Sequence, residues 1–345
     1  MPQGKILGKM RARAWALIRH MAWRLKASYR RARLRALGHE PLWARVHGGF
    51  EMFIDPSDDL DREFYLGTFD RAMLKLIGST VRAGDTCVDI GAQKGYVSLT
   101  LARAVGKNGR VLAFDADKRA VSKLAANINR SHQNVIEVFH RALGEREGSC
   151  TFVLSKVLGW SSRFPNELAQ TAVDMTVEVN VNSFDEMIAR KEISIEPSKV
   201  SFIKLDAEGS EVLILRGMKT FLSTARPALS VEVNCDSLSA AGSSPRELQE
   251  LLDELGFDLY EAEYHAYNGK LRLKPAGDLS VMRSSSENWI ANIVAVPKLV
   301  PAGRNGMARL VARSDQRHNE HAAVRREAVE TERQRLRLPA LGIHI

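Results

Sequence analysis

The segment Val88-Asp89-Ile90-Gly91-Ala92-Gln93-Lys94-Gly95 puts an acid near the end of an apolar run and sets a glycine turn directly behind it. Such a turn, between a strand and the start of a helix, lets backbone N–H groups approach a ligand and aim partial positive charge at it. A dinucleotide fingerprint would read GxGxxG at this point, whereas the chain reads DxGxxxG. That spacing favours S-adenosylmethionine over a nicotinamide dinucleotide. Asp89 is expected to face the ligand's amino group, and the turn at Gly91 and Gly95 to take a carboxylate rather than a pyrophosphate. About twenty residues past the turn lies Phe114-Asp115-Ala116-Asp117, where an acid can accept both hydroxyls of a ribose. Asp115 suits that role, and Asp117 suits the N-cap of a helix from Lys118.

A third cluster, Ile203-Lys204-Leu205-Asp206-Ala207-Glu208-Gly209-Ser210-Glu211, delivers carboxylates where an apolar run ends. Asp206 is expected to face the site, and Glu211 serves equally well as a charge at the positive end of the following helix. Carboxylates and imidazoles at such an edge can take a proton from a substrate. Asp206, Glu208, Glu232 and His140 are the candidates, with His140 alone read more simply as a buried, hydrogen-bonded histidine.

Elements must bring these residues together. Apolar runs at 86–90, 111–114, 135–139, 200–205 and 228–233 predict strands, and helical spacing fills 96–105, 119–129, 210–222 and 245–255. Strand and helix in alternation imply an α/β fold with a doubly wound parallel sheet, whose ligand edge lies at the carboxyl ends of the strands. Short alternating segments over 43–54 read as strands and 60–81 as one helix. The stretch 150–183 breaks the rhythm and reads as a β-rich insertion over the sheet edge or the site mouth. Segments 256–263 and 289–296 read as closing strands on either side of a turn at Asn268-Gly269.

The chain has 345 residues, 45% apolar and 26% charged, which suits one large α/β core with extensions. Four parts are expected: a basic helical arm over 1–45, lead-in elements over 46–84, the ligand-binding domain over 85–299 and a charged tail over 300–345. Three cysteines without CxxC spacing argue against a disulfide framework and a zinc site, so no metal is expected and a reducing, cytoplasmic setting fits. The net charge of +9 is concentrated at one end. Residues 1–45 carry twelve Lys and Arg against the single acid Glu40, a net of +11, and the rest of the chain is close to neutral at −2. A generic nucleic-acid surface on the body therefore loses support. In the arm, Trp15, Ile18, Met21, Ala22 and Leu25 follow helical spacing between arginines, the pattern of a helix lying on a membrane surface. A solvated helix packing Trp15 and Trp23 on its own body or another subunit explains the pattern equally well.

The motifs resemble those of the FkbM family of S-adenosylmethionine-dependent methyltransferases over about residues 45–298. The resemblance rests on VRAGDTCVDIGAQKGYVSL from Val81, VLAFDAD from Val111, RALGEREG from Arg141, VNSFDEMI from Val181, IKLDAEGSEVLILRG from Ile203, PALSVEVN from Pro227 and IVAVP from Ile293. The family usually has Asn where this chain has Gln93, and Glu-Pro where it has Asp115-Ala116. The resemblance implies a Rossmann-like class I methyltransferase sheet that transfers a methyl group to an oxygen, often on a sugar, a glycolipid or a polyketide-like product. It implies cofactor contacts at Asp89, Gly91, Ala92, Gly95, Asp115 and Ala142, with Asp206 and Glu208 at the methyl-transfer site. The expected partner is a small-molecule or glycan acceptor, with the arm touching the inner face of a membrane. A ribose 2′-O-methyltransferase on RNA, and a non-catalytic adaptor retaining the fold, are the alternatives.

Overall fold

The structure, a computed structural model, describes residues 3–38, 40–266, 269–280 and 290–298. It opens with the long helix α1 (Gln3–Leu37), a hairpin of β1 (Leu42–Arg45) and β2 (Glu51–Ile54), and helices α2 (Asp59–Leu66) and α3 (Arg71–Thr80). The single helix expected over 60–81 is thus two helices. Gly67, at φ 75°, ends α2 by donating its N–H to Glu63, and Asp70 starts α3 by accepting from Met73 N.

The alternating core follows as β3 (Thr86–Ile90), α4 (Tyr96–Val105), β4 (Arg110–Asp115), α5 (Lys118–Ser131) and β5 (Ile136–His140). The insertion holds β6 (Ala142–Leu143), β7 (Gly148–Ser155), the short α6 (Glu167–Gln170) and β8 (Val173–Asn182). Strands β6, β8 and β7 form their own three-stranded sheet, so the β-rich reading of 150–183 holds. The core resumes with α7 (Phe184–Ala189), β9 (Val200–Leu205), α8 (Glu211–Arg216), α9 (Lys219–Ala225) and β10 (Ala228–Asn234). It ends with α10 (Cys235–Ala240), α11 (Pro245–Glu254), β11 (Phe257–His265), β12 (Lys270–Pro275) and β13 (Ile290–Pro297). The helix expected over 210–222 is also split. The Gly217 carbonyl accepts from Asp185 N and Ser183 Oγ, and the Asp185 carboxylate accepts from Thr220 and Phe221 N–H, so the first turn of α7 caps α9. Asn268, Trp289 and the charged tail over 300–345 lie outside the described residues.

The main sheet runs β12-β11-β13-β10-β9-β3-β4-β5. Strands β5, β4, β3, β9 and β10 are parallel, whereas β13 lies antiparallel between β10 and β11. Strand β12, unforeseen from the sequence, pairs antiparallel on the outer edge. Successive residues of β3 explain why both faces are covered. Val88 and Ile90 join a core with Leu112, Phe114, Ile203 and Leu205, while Cys87 packs on the other face with Val97, Leu101 and Phe202. Burying each such side chain contributes about 1.5–3 kcal/mol. The strand order reverses between β3 and β9. A crevice therefore opens beyond their carboxyl ends, and that is where a ligand is placed in this class of sheet.

Candidate functional site

Three loops meet at that crevice. The first is the glycine turn after β3. Gly91 N and Ala92 N both donate to the Phe114 carbonyl of β4, at 2.9 and 3.0 Å, which draws the turn across the strand tips. Gly91 sits at φ 76°, and a Cβ there would lie 1.7 Å from the Asp206 carbonyl oxygen. Only glycine lets the two loops come this close. Lys94, in the same turn, is buried and bonds Asp58 at 2.7 Å and Asp61 at 2.9 Å, tying the turn to the start of α2. The second loop follows β4. Asp115 accepts from Gln93 N at 2.7 Å and from Asp117 N at 2.8 Å, and burial pushes its carboxyl up to about 6. Asp117 caps α5 as expected, accepting from Arg119 N.

The third loop follows β9 and is the most tightly determined. Asp206 N donates to Ile90 O across the crevice. Glu208 adopts a left-handed φ of 49°, uncommon outside glycine. Gly209 follows at φ 100°, where a Cβ would lie 2.3 Å from the Ser237 carbonyl oxygen. The fully buried Glu211 holds this turn from below, its carboxylate accepting from Ala207 N at 2.8 Å and Gly209 N at 3.0 Å. The insertion contributes Ser162, whose hydroxyl donates to the Glu208 carbonyl. Glu211 is therefore a loop clamp and not a wall of the site.

The cavity enclosed by these loops measures about 340 Å³ and is walled on its outer sides by Leu60, Phe64, Phe152, Leu158 and Trp160. The insertion thus covers the site mouth. Of the residues expected to bind a cofactor, Gly91, Ala92, Asp115 and Ala142 line the cavity, and Gly95 sits at φ 90° directly before α4. Asp89 needs correction. It is fully buried behind the wall, where Ser98 Oγ donates to one oxygen at 2.5 Å and Lys204 Nζ lies 3.8 Å from the other. It does not line the cavity, because Ser98 of α4 and Lys204 of β9, on the same face of the sheet, enclose its carboxylate. His140 also departs from expectation: it is exposed, its ring nitrogen sits 3.1 Å from the Ala116 carbonyl, and it does not line the cavity.

Asp206, Glu208 and Glu232 do line it. One carboxylate oxygen of each lies within 4.8 Å of the others, the one such group of His, Cys, Asp or Glu among the described residues with the spacing to share a cation. Burial, then the charges of Asp206 and Glu211, push Glu208 up to about 8. Burial and the neighbouring Asp206 and Glu208 raise Glu232 well above the usual carboxylate range. Glu208 Oε2 accepts from Ser237 Oγ at 3.2 Å, whereas Glu232 Oε2 is buried with no hydrogen-bond partner.

Lys204 escaped the sequence reading. Its ammonium donates to Gly91 O at 2.6 Å and lies 3.1 Å from Asp206 Oδ2. Burial alone would lower its pKa, but Asp206 and Asp89 outweigh burial and hold it above the ordinary lysine value. A lone lysine inside an apolar strand was the available signal, because a charge on a strand buried on both faces needs partners.

Residues 89–259 match the model of the methyltransferase FkbM domain. The chain carries an FkbM methyltransferase domain. The methyltransferases of this family use S-adenosylmethionine, and the site fits that molecule: a partly apolar cavity bordered by a glycine turn, a half-buried acid at the tip of β4 and a cluster of acids at the tips of β9 and β10. Among solved structures, the FkbM methyltransferase from Methylobacillus flagellatus KT matches at 16% identity and TM-score 0.37, over 69% of this chain and 55% of that one. The match therefore spans little more than half of the Methylobacillus protein. The O-methyltransferase from Bacillus cereus in complex with SAH matches at 16% identity and TM-score 0.37, over 66% of this chain and 80% of that one. M. jannaschii TYW2 in complex with AdoMet matches at 11% identity and TM-score 0.37, over 75% and 86%. No curated protein matches the chain.

Proposed function

We propose that the protein methylates a hydroxyl oxygen of a sugar, glycolipid or polyketide-like acceptor, with the Asp206, Glu208 and Glu232 cluster receiving the hydroxyl proton. One observation carries this reading: three acids meet on the cavity wall, and Glu232 Oε2 is buried there without a partner. An orphaned buried acceptor costs about 1–3 kcal/mol, and a hydroxyl donating to it relieves that cost. S-adenosylmethionine supplies an electrophilic methyl group when bound.

The chain's own residues do the rest. The backbone of Gly91, Ala92 and Gly95, with Asp115 and Ala142 beside it, forms the cofactor side of the cavity. Leu60, Phe64, Leu158 and Trp160 exclude water from it. Lys204 lies 3.1 Å from Asp206, and the Asp206 charge helps raise Glu208 and Glu232. A carboxyl with a pKa of about 8 accepts the hydroxyl proton only in its ionised form, a fraction that grows as the pH rises from about 7 towards 8, and once protonated it keeps the proton.

The test is labelled S-adenosylmethionine incubated with the protein and fractions of a lysate, followed by purification of the labelled product. On that acceptor, Glu208→Gln and Glu232→Gln should lower kcat by roughly 10²-fold or more while leaving cofactor affinity within about twofold. Wild-type turnover in both variants would remove the cluster from proton transfer. Label appearing in RNA alone would replace the sugar or lipid acceptor with a ribose.

A further inference from the structure

The two sides of α1 differ sharply. Trp23, Ala27, Arg30 and Leu34 face the body: Trp23 stacks under the Arg71 guanidinium at 4.6 Å, Arg30 donates to the Tyr65 carbonyl, and Leu34 joins the core around Phe64 and Tyr96. On the other side Trp15, Ile18, Met21, Leu25 and Tyr29 are between 54 and 71% exposed. At about 100° per residue these five cover an arc of roughly 120°, centred opposite the buried side. Exposed Arg19, Lys26 and Arg33 border that arc on one edge, and exposed Arg24, Arg31 and Arg35 border it on the other. The segment from Gln3 to Leu37 contains no acid at all.

We propose that this outward face of α1 is an interfacial helix that seats the protein on an anionic lipid surface. An apolar stripe flanked on both edges by basic residues sinks to the level of the headgroups while the charges meet lipid phosphates. Charge complementarity selects lipid over a second copy of the chain. Pairing two such faces would bring arginines against arginines with no carboxylate from either helix between them, whereas an anionic leaflet supplies the missing charge. Because the docking contacts with the body use the opposite side, the stripe is presented without unfolding anything. No helix among the described residues is long and apolar enough to cross a membrane, so attachment of this kind is peripheral and salt-sensitive. Helix α1 rests on α2, whose Leu60 and Phe64 wall the cavity. Docking therefore also holds the cavity near the leaflet, where a lipid-linked acceptor would be presented. That corollary rests on the methyl-transfer reading above, whereas the docking is read without any turnover.

The experiment is co-sedimentation of the full chain with vesicles of phosphatidylcholine and phosphatidylglycerol in a 3:1 ratio, and with phosphatidylcholine alone. The Ile18→Glu/Leu25→Glu double variant is run beside it. Both substitutions lie on the exposed stripe, so circular dichroism and the thermal midpoint should match wild type. The expected result is pelleting with the anionic vesicles only, weakened roughly tenfold by raising the salt from about 0.05 to about 0.5 M and weakened as strongly by the double variant. Equal pelleting of the variant and the wild type, or no pelleting of the wild type, overturns the proposal. So does a wild-type dimer that becomes monomeric in the variant without vesicle binding, which would make the stripe a self-association face.

Discussion

Replacing Lys204 with Met removes the ammonium while keeping most of the stem that packs inside the sheet. Three groups lose their partner at once. The Gly91 carbonyl loses a charged hydrogen bond of 2.6 Å, Asp206 loses an ammonium at 3.1 Å, and Asp89 loses the nearest positive charge to an oxygen that no other group bonds. Breaking a buried ion pair from one side costs about 3–5 kcal/mol, because the remaining charge is left in a low-dielectric site. The Asp89 carboxyl, already raised by burial and lowered by Lys204, holds its proton more tightly once the cation is gone, and a neutral carboxyl no longer needs it. The loss should therefore be near its full size at pH 7.5 and shrink as the pH falls towards 5. Urea denaturation of wild type and Lys204→Met at both pH values, read by tryptophan fluorescence and circular dichroism, gives the two differences. A loss below about 1 kcal/mol, or an equal loss at both pH values, would refute the idea that Lys204 holds the strand tips together by charge.

Asp115→Ala should weaken S-adenosylmethionine binding by roughly 1–3 kcal/mol in calorimetry, since a half-buried acceptor on the cavity wall is lost; unchanged affinity in a folded variant would take Asp115 out of the cofactor site. Gly91→Ala forces a left-handed Cβ against the Asp206 carbonyl and should destabilise by roughly 2–5 kcal/mol, so a thermal midpoint close to wild type would show that the two loops can part. The raised pKa of Glu208 means that the folded state binds this proton more tightly than the unfolded chain does. Its contribution is full below about 4.5 and is lost as the pH rises through about 8. The thermal midpoint of the unliganded protein should accordingly fall across that interval, and less steeply in Glu208→Gln; parallel curves for the two proteins would contradict the shift.

Much of this protein was legible from local pattern. The parallel strands, the glycine turn, the Asp117 cap and the break in rhythm before β9 all depend on residues close together in sequence, where side-chain period and turn chemistry act directly. The family motifs likewise pointed to the domain over 89–259. Contacts distant along the chain decided the rest. Sequence spacing alone did not reveal that Asp89 turns inward to Ser98, or that Asp185 of α7 caps α9 and so splits one helical pattern in two. Nor did it reveal Lys204, whose partners Gly91 and Asp89 lie more than a hundred residues earlier and come near it only because β3 and β9 are neighbours in the sheet. Glu232 was a candidate from the sequence, but its place beside Asp206 and Glu208 follows from the parallel pairing of β9 and β10. A sequence period tells which residues share a face, but which acids meet at the crevice is set by strand order, and strand order follows from how the whole sheet buries its two faces.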